Sequence, residues 1–185
     1  MAEPYAIATL VGSLRKASLN RKAARAIEKF APPSLRFEEV EIGGLPLYNE
    51  DLEADPPRLW AEFRDRVRPM DAILFVTPEY NRSVPGLLKN AIDVGSRPPG
   101  QSVWRGKPAA VVSVSPGAIG GFGANHHLRQ SLVFLDMPAL QQPEAYIGNA
   151  AQLFGDDGSV KNEGTEKFLR GFVEAFAAWI ARVRS

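Results

Sequence analysis

Two short segments, Asp71–Thr77 (D-A-I-L-F-V-T) and Pro108–Val114 (P-A-A-V-V-S-V), are apolar almost without interruption and stop at turn-forming residues. Runs of this length and β-branched content read as strands, and a strand without a polar face needs cover on both sides. The rest of the chain supplies that cover. Tyr5–Val11 reads as another buried strand, Arg36–Ile42 alternates as a half-exposed one, and a fifth lies within Ala139–Ile147. Helical patterns fall between them at Leu19–Phe30, Pro57–Arg68, from the Ser83–Pro85 region to Ser96, at Asn125–Leu135 and at Thr165–Val183. Ser83 is the expected N-cap of the third helix, with Pro85 in its first turn. In the last helix Phe168, Phe172, Phe176 and Trp179 are spaced as a core-facing stripe. Alternation of strands and helices predicts a parallel sheet with helices on both faces.

Five strands in 185 residues without internal repetition suit an α/β fold, a flavodoxin-like doubly wound sheet of order 2-1-3-4-5. No composition break divides the chain, so residues 1–185 are expected to form a single domain. Gly155-Asp156-Asp157-Gly158 marks a turn in a longer loop. The net charge of +1 gives no reason to expect nucleic acid or an anionic membrane as partner. The absence of cysteine excludes disulfides, iron–sulfur clusters and thiol chemistry. The start, Met1-Ala2-Glu3-Pro4-Tyr5, lacks the pattern of a signal peptide, and no apolar run approaches the ~18 residues of a membrane span. A cytoplasmic protein is expected.

In a doubly wound sheet, ligands bind beyond the carboxyl ends of the strands, where the winding reverses. Three loops leave such ends: Gly12–Asn20, Thr77–Ser83 and Ser115–Gly121. In the first, Ser13, Arg15, Ser18 and Asn20 stand at a helix N-terminus, where hydroxyls, a guanidinium and free N–H groups suit a phosphate. Arg15, Lys16, Arg21, Lys22 and Arg25 precede the first acid, Glu28. Cations there oppose the helix dipole by about 0.3–1 kcal/mol each. The other helices are expected to follow the dipole rule, so a bound anion would account for the reversal. An N-capped helix with a solvated basic face is the alternative. Neither a P-loop nor G-x-G-x-x-G is present, which leaves an NAD-binding Rossmann domain unsupported.

In the second loop Pro78 stiffens the strand exit, Tyr80 can contact a planar ring, and the Asn81 amide can both donate and accept. The carboxylate of Glu79 is expected to be solvated. In the third loop Gly117, Gly120 and Gly121 allow close approach of backbone to a ligand, although turns use glycine for other reasons as well. No His, Asp and Glu cluster has metal-ligand spacing, and the only histidines, His126 and His127, are expected as polar surface or interface groups.

The segments G-S-L-R-K-A-S-L-N, T-P-E-Y-N-R-S-V-P-G-L-L-K-N-A-I-D and S-P-G-A-I-G-G, each after its strand, resemble the NADPH-dependent FMN reductase family, and within it the chromate and quinone reductases. The resemblance runs from Tyr5 to the last helix. It implies noncovalent FMN, with Ser13, Arg15, Ser18, Leu19 and Asn20 at its phosphate and ribityl end. Pro78, Glu79, Tyr80 and Asn81 would border the isoalloxazine, and Ser115, Gly117, Gly120 and Gly121 would close the other side. Arg82 and His126, where some relatives carry an aromatic residue, are candidates for the acceptor site. The resemblance also implies dimers packed through Pro85–Ser96, often paired into homotetramers, with Arg97 and Glu144 as inter-subunit polar contacts or as unrelated surface charges. The implied activity is ping-pong electron transfer from NADPH or NADH through flavin N5 to a quinone, chromate, an azo compound or a similar small acceptor. The flavin carries the chemistry, so no catalytic side chain is expected. A flavodoxin-type electron carrier and a flavin-binding redox sensor are the competing readings.

Overall fold

A computed structural model describes residues 3–155 and 157–185. Met1 and Ala2 of the N-terminal reading, and Asp156 of the 155–158 turn, lie outside the described residues. In chain order the elements are β1 (Tyr5–Val11), α1 (Leu19–Lys29), β2 (Leu35–Glu39), α2 (Arg58–Val67), β3 (Ala72–Thr77), α3 (Gly86–Gly95), β4 (Ala109–Val114), α4 (Phe122–Phe134), β5 (Ala145–Ile147) and α5 (Glu163–Arg184). The strands pair in parallel in the order β2-β1-β3-β4-β5, as the alternation of elements predicts.

Alternate residues of each central strand point to opposite faces, and each face has its own core. Ile7, Val11, Leu74, Val76, Val112 and Val114 pack with α1 and the Leu169, Phe172 and Phe176 stripe of α5. Leu10, Ile73, Phe75 and Val111 pack on the other face with Trp60 and Phe63 of α2, Leu88 of α3, Trp104, and Leu128 of α4. β3 and β4 are buried along their whole length. The continuous apolar runs therefore follow from two covered faces rather than one. Trp179, only partly buried, donates its indole N–H to the Pro138 carbonyl at 2.9 Å, and Asp71 ties the sheet to α5 through Arg184 at 2.7 Å. Among the described residues no helix is long and apolar enough to cross a membrane.

Three local expectations are corrected. Ser83 does not cap α3: Pro85 occupies the N-cap without a side-chain hydrogen bond, and Ser83 closes a turn with Tyr80 instead. α4 begins at Phe122, ahead of the expected Asn125, because Gly121 takes a left-handed φ of 76° and starts the helix there. The dipole contrast is also narrower than the charge pattern suggests. α5 has Glu163 and Glu166 in its first turn and Arg182 and Arg184 in its last. α2 has no acid in its first turn, since Asp55 precedes Pro57, and α3 and α4 carry neither an acid first nor a base last.

Candidate functional site

The carboxyl ends of β1, β3 and β4 lie side by side, with the Gly12 N–H on the Val76 carbonyl at 2.9 Å and the Ser115 N–H on the Ile147 carbonyl at the same distance. The loops that leave them enclose a cleft of about 250 Å³ lined by Ser13, Arg15, Leu19, Asn20, Pro78, Glu79, Tyr80, Val114, Ser115 and Pro116. Eight of these were candidates from the sequence. Val114 and Pro116 were not, because the last residue of a buried strand and the proline after a serine carry no chemical signal of their own.

At one end of the cleft stands the N-terminus of α1. Ser18 is the N-cap and its hydroxyl oxygen accepts the Arg21 N–H at 3.2 Å, so the first-turn N–H groups of Leu19 and Asn20 have no intrahelical partner. Ser18 itself borders an adjoining basic concavity with Lys16, Arg21, Lys22 and Arg25, rather than the cleft. Arg21 spends its charge within the protein, on Glu39 at 2.7 Å and Glu41 at 3.9 Å, rather than on a ligand. Asn20 is 4% exposed, and its Oδ1 is buried without a hydrogen-bond partner among the described residues. Leaving such an acceptor unmet costs about 1–3 kcal/mol. Either orientation of the amide offers the cleft a polar group that a ligand hydroxyl or phosphate oxygen can satisfy. Ser13 is buried beside it. This donor and acceptor set fits the phosphate and polyol tail of a flavin mononucleotide.

At the other end Pro78 is buried and Tyr80 is 51% exposed, its ring open to a planar ligand. Tyr80 and Ser83 exchange both backbone hydrogen bonds, at 3.1 and 3.0 Å, around Asn81 and Arg82 at φ 52° and 63°. That is a two-residue turn with both central residues left-handed. The carboxylate of Glu79 is not solvated as expected: its side chain is 13% exposed, and it accepts the Ala124 N–H at 3.1 Å. The N-terminus of α4, which has no side-chain cap of its own, draws the carboxylate inward.

Other candidates lie apart from the cleft lining. Asn81 and Arg82 are exposed on the turn, and Arg82 pairs with Glu79 at 3.3 Å. Gly117 caps the Ser115 turn through its N–H on the serine hydroxyl at 3.1 Å. Gly120 and Gly121 are buried against protein: a Cβ on Gly120, at φ 67°, would stand 2.7 Å from the Tyr146 backbone, and one on Gly121 3.0 Å from Ser113. His126 lies against Phe122, ring centroids 4.2 Å apart and tilted by 40°, and shares a 2.9 Å hydrogen bond with the Tyr146 hydroxyl. Burial, together with a hydrogen bond to Glu144, pushes the Tyr146 phenol up to about 12. His127 meets the Ser83 hydroxyl at 3.0 Å. Arg97 lies over the Tyr48 ring at 5.6 Å, with Glu53 at 4.0 Å.

The model of the NADPH-dependent FMN reductase family matches residues 5–152. A quinone reductase of Pseudomonas putida KT2440 is 67% identical over 181 residues, 97% of each chain. A 2-hydroxy-1,4-benzoquinone reductase of a Burkholderia species is 46% identical over 174 residues, 94% of this chain and 95% of the other. Among solved structures, FerB, a flavoenzyme NAD(P)H:(acceptor) oxidoreductase of Paracoccus denitrificans, superposes with a TM-score of 0.91 at 48% identity, over 96% of this chain and 98% of that one.

Proposed function

The chain belongs to the NADPH-dependent FMN reductase family, and from that premise we propose that it is an FMN-dependent NAD(P)H oxidoreductase whose acceptors are small quinones. One observation carries the assignment to this cleft: the buried, unpartnered Asn20 Oδ1 beside Ser13 and the open N-terminus of α1. These groups would hold the phosphate and ribityl end of FMN with Arg15 and Leu19. Pro78, Glu79 and Tyr80 would border the ring, largely through main-chain groups, and Ser115 would close the other side. Bound there, FMN supplies the two-electron chemistry that links NAD(P)H to the acceptor. The protein's part is to hold the ring, keep one of its faces open beside Tyr80, and offer N–H donors where negative charge develops.

Residues 1–185 are taken as one FMN-binding domain. Chromate and azo compounds are further acceptors that an open ring face would admit, with Arg82 at its edge as an attractant for anions. Dependence on NAD(P)H supports a cytoplasmic location. A homodimer through α3 and α4 is supported by Val133 and Phe134, 79% and 90% exposed, beside a concavity of about 410 Å³ that includes Tyr48, Ile92 and Arg97. A homotetramer would need a second face, for which Glu144 is the candidate. Phe134→Glu should shift sedimentation toward the monomer.

The decisive experiment mixes the purified protein with NADPH in the absence of oxygen. Rapid bleaching of the flavin absorbance, reversed by a benzoquinone, is the expected result. A flavin that stays oxidised would point to an electron carrier, and a colourless protein without affinity for FMN would overturn the reading.

A further inference from the structure

Glu79 is the residue whose sequence reading and structural position differ most. Its carboxylate leaves one loop and completes the N-terminus of a helix that begins more than forty residues later in the chain. Oε2 accepts the Ala124 N–H at 3.1 Å, and Oε1 accepts from the Arg82 guanidinium at 3.3 Å. Two other contacts press the same surfaces together. A Cβ on Gly123 would stand 2.7 Å from the Arg82 carbonyl oxygen and 3.0 Å from Glu79 Oε2, so the first turn of α4 lies directly on the 79–82 turn. His127, one turn further along α4, meets the Ser83 hydroxyl at 3.0 Å. The clamped turn holds Asn81 and Arg82 at positive φ, a conformation that asparagine tolerates and that arginine keeps at a cost its surroundings must offset.

Resting on the proposed function, we infer that Glu79 is a positioning residue for the flavin. By joining the amide end of α4 to the 79–82 turn, its carboxylate fixes the Pro78–Tyr80 backbone in the cleft. FMN affinity then depends on a side chain that is turned to the helix. A carboxylate capping a helix is stabilising for the helix alone. The proposal adds that the strained turn relaxes when the cap is lost, and that the ring end of the cleft loses its shape with it.

The test is a fluorescence titration of apoprotein with FMN, well below the melting temperature, for wild type, Glu79→Ala, Glu79→Gln and Gly123→Ala. Glu79→Ala should raise the Kd about tenfold, the size of one lost cap. Glu79→Gln, whose amide oxygen still accepts the Ala124 N–H, should restore most of the affinity. Gly123→Ala keeps the carboxylate group but crowds both it and the Arg82 carbonyl, wedging α4 away from the turn, and should weaken FMN binding as much as Glu79→Ala. A cap with a purely structural role would lower the apoprotein melting temperature and leave the Kd unchanged, and that result overturns the inference. So does a Glu79→Gln as impaired as Glu79→Ala. If Glu79→Ala fails to fold, Gly123→Ala decides: wild-type affinity there overturns the inference and a raised Kd supports it. A wild-type apoprotein that does not bind FMN overturns the proposed function and this inference together.

Discussion

At the α1 end of the cleft a buried amide oxygen on Asn20 has no partner and the first-turn N–H groups stand open. At the other end Glu79 meets Ala124 and Arg82, the Tyr80 backbone meets that of Ser83, and the Ser83 hydroxyl meets His127. The first region carries an unmet polar cost that a ligand can remove. The second is tied to itself and to α4 but bent, with two non-glycine residues in the left-handed region. The contrast teaches how one cleft can do two jobs. On the proposed function, affinity for a charged tail would come from groups left unsatisfied by folding, whereas a flat ring would need a backbone surface whose shape is fixed in advance.

If the ring end is held by packing, damage to that packing should cost more stability than damage to the tail end. Gly120 lies outside the cleft lining, just ahead of the helix that clamps the ring end, and Gly120→Ala combines a left-handed φ with a Cβ 2.7 Å from the Tyr146 backbone. It should destabilise the protein by about 2–3 kcal/mol, read as a lower urea midpoint at unchanged m-value. A near-neutral Gly120→Ala would break the comparison at its rigid end.

At the tail end the same kind of change should act with opposite signs on the two states. Asn20→Ala removes an acceptor whose unmet burial costs about 1–3 kcal/mol, so the apoprotein should melt at a higher temperature. The variant should bind FMN roughly 10- to 100-fold more weakly, the loss of one hydrogen bond to a charged or polyol group. Calorimetry of the apoprotein and an FMN titration check the two halves. A variant less stable as apoprotein and unchanged in affinity would show that Asn20 serves the fold.

The division between the two ends also explains what could be read from the sequence. β1, β3 and β4 were legible as unbroken apolar runs, because burial on two faces leaves no polar positions to confuse the pattern. β2 was legible from its own alternation, and the order followed from the alternation of strands and helices. The tail end was legible for a related reason: Ser13, Arg15, Leu19 and Asn20 are consecutive with the helix they serve, so spacing alone brings them together. The ring end was not. Glu79 meets Ala124 across 45 positions of sequence, and Gly120 answers to Tyr146 on a neighbouring strand. A charge beside a tyrosine looks solvated, and a glycine pair looks like a turn, until tertiary packing assigns each its contact. The expected cap at Ser83 failed for the same reason, since the hydroxyl found His127 on α4.

Strain at the ring end can be measured directly at Arg82. Its side chain is 72% exposed and its pairing with Glu79 adds little in water, so the backbone dominates. Arg82→Gly should be more stable than Arg82→Ala by about 1 kcal/mol, a reversal of the order expected where φ is negative. Paired denaturant curves give the difference. Equal stabilities would mean that the turn is not strained, and the contrast with the tail end would lose its second term.

The smallest effect is expected at the outer flank of the ring end, where Tyr146 presents its backbone to Gly120 and its hydroxyl to His126 and Glu144. Burial and the Glu144 hydrogen bond raise the phenol to about 12, whereas an unfolded tyrosine titrates near ~10. A group raised on folding contributes stability that is complete below the unfolded value and is lost as pH climbs through the folded one. Tyr146 therefore adds a fall in stability between pH ~10 and ~12. Tyr146→Phe, which cannot ionise, should flatten that part of the curve while leaving neutral-pH FMN affinity close to wild type, because the Gly120 contact is with backbone. Melting temperatures of the two proteins across the alkaline range supply the check. Parallel curves would place the phenol in solvent and detach this flank from the rigid end of the cleft.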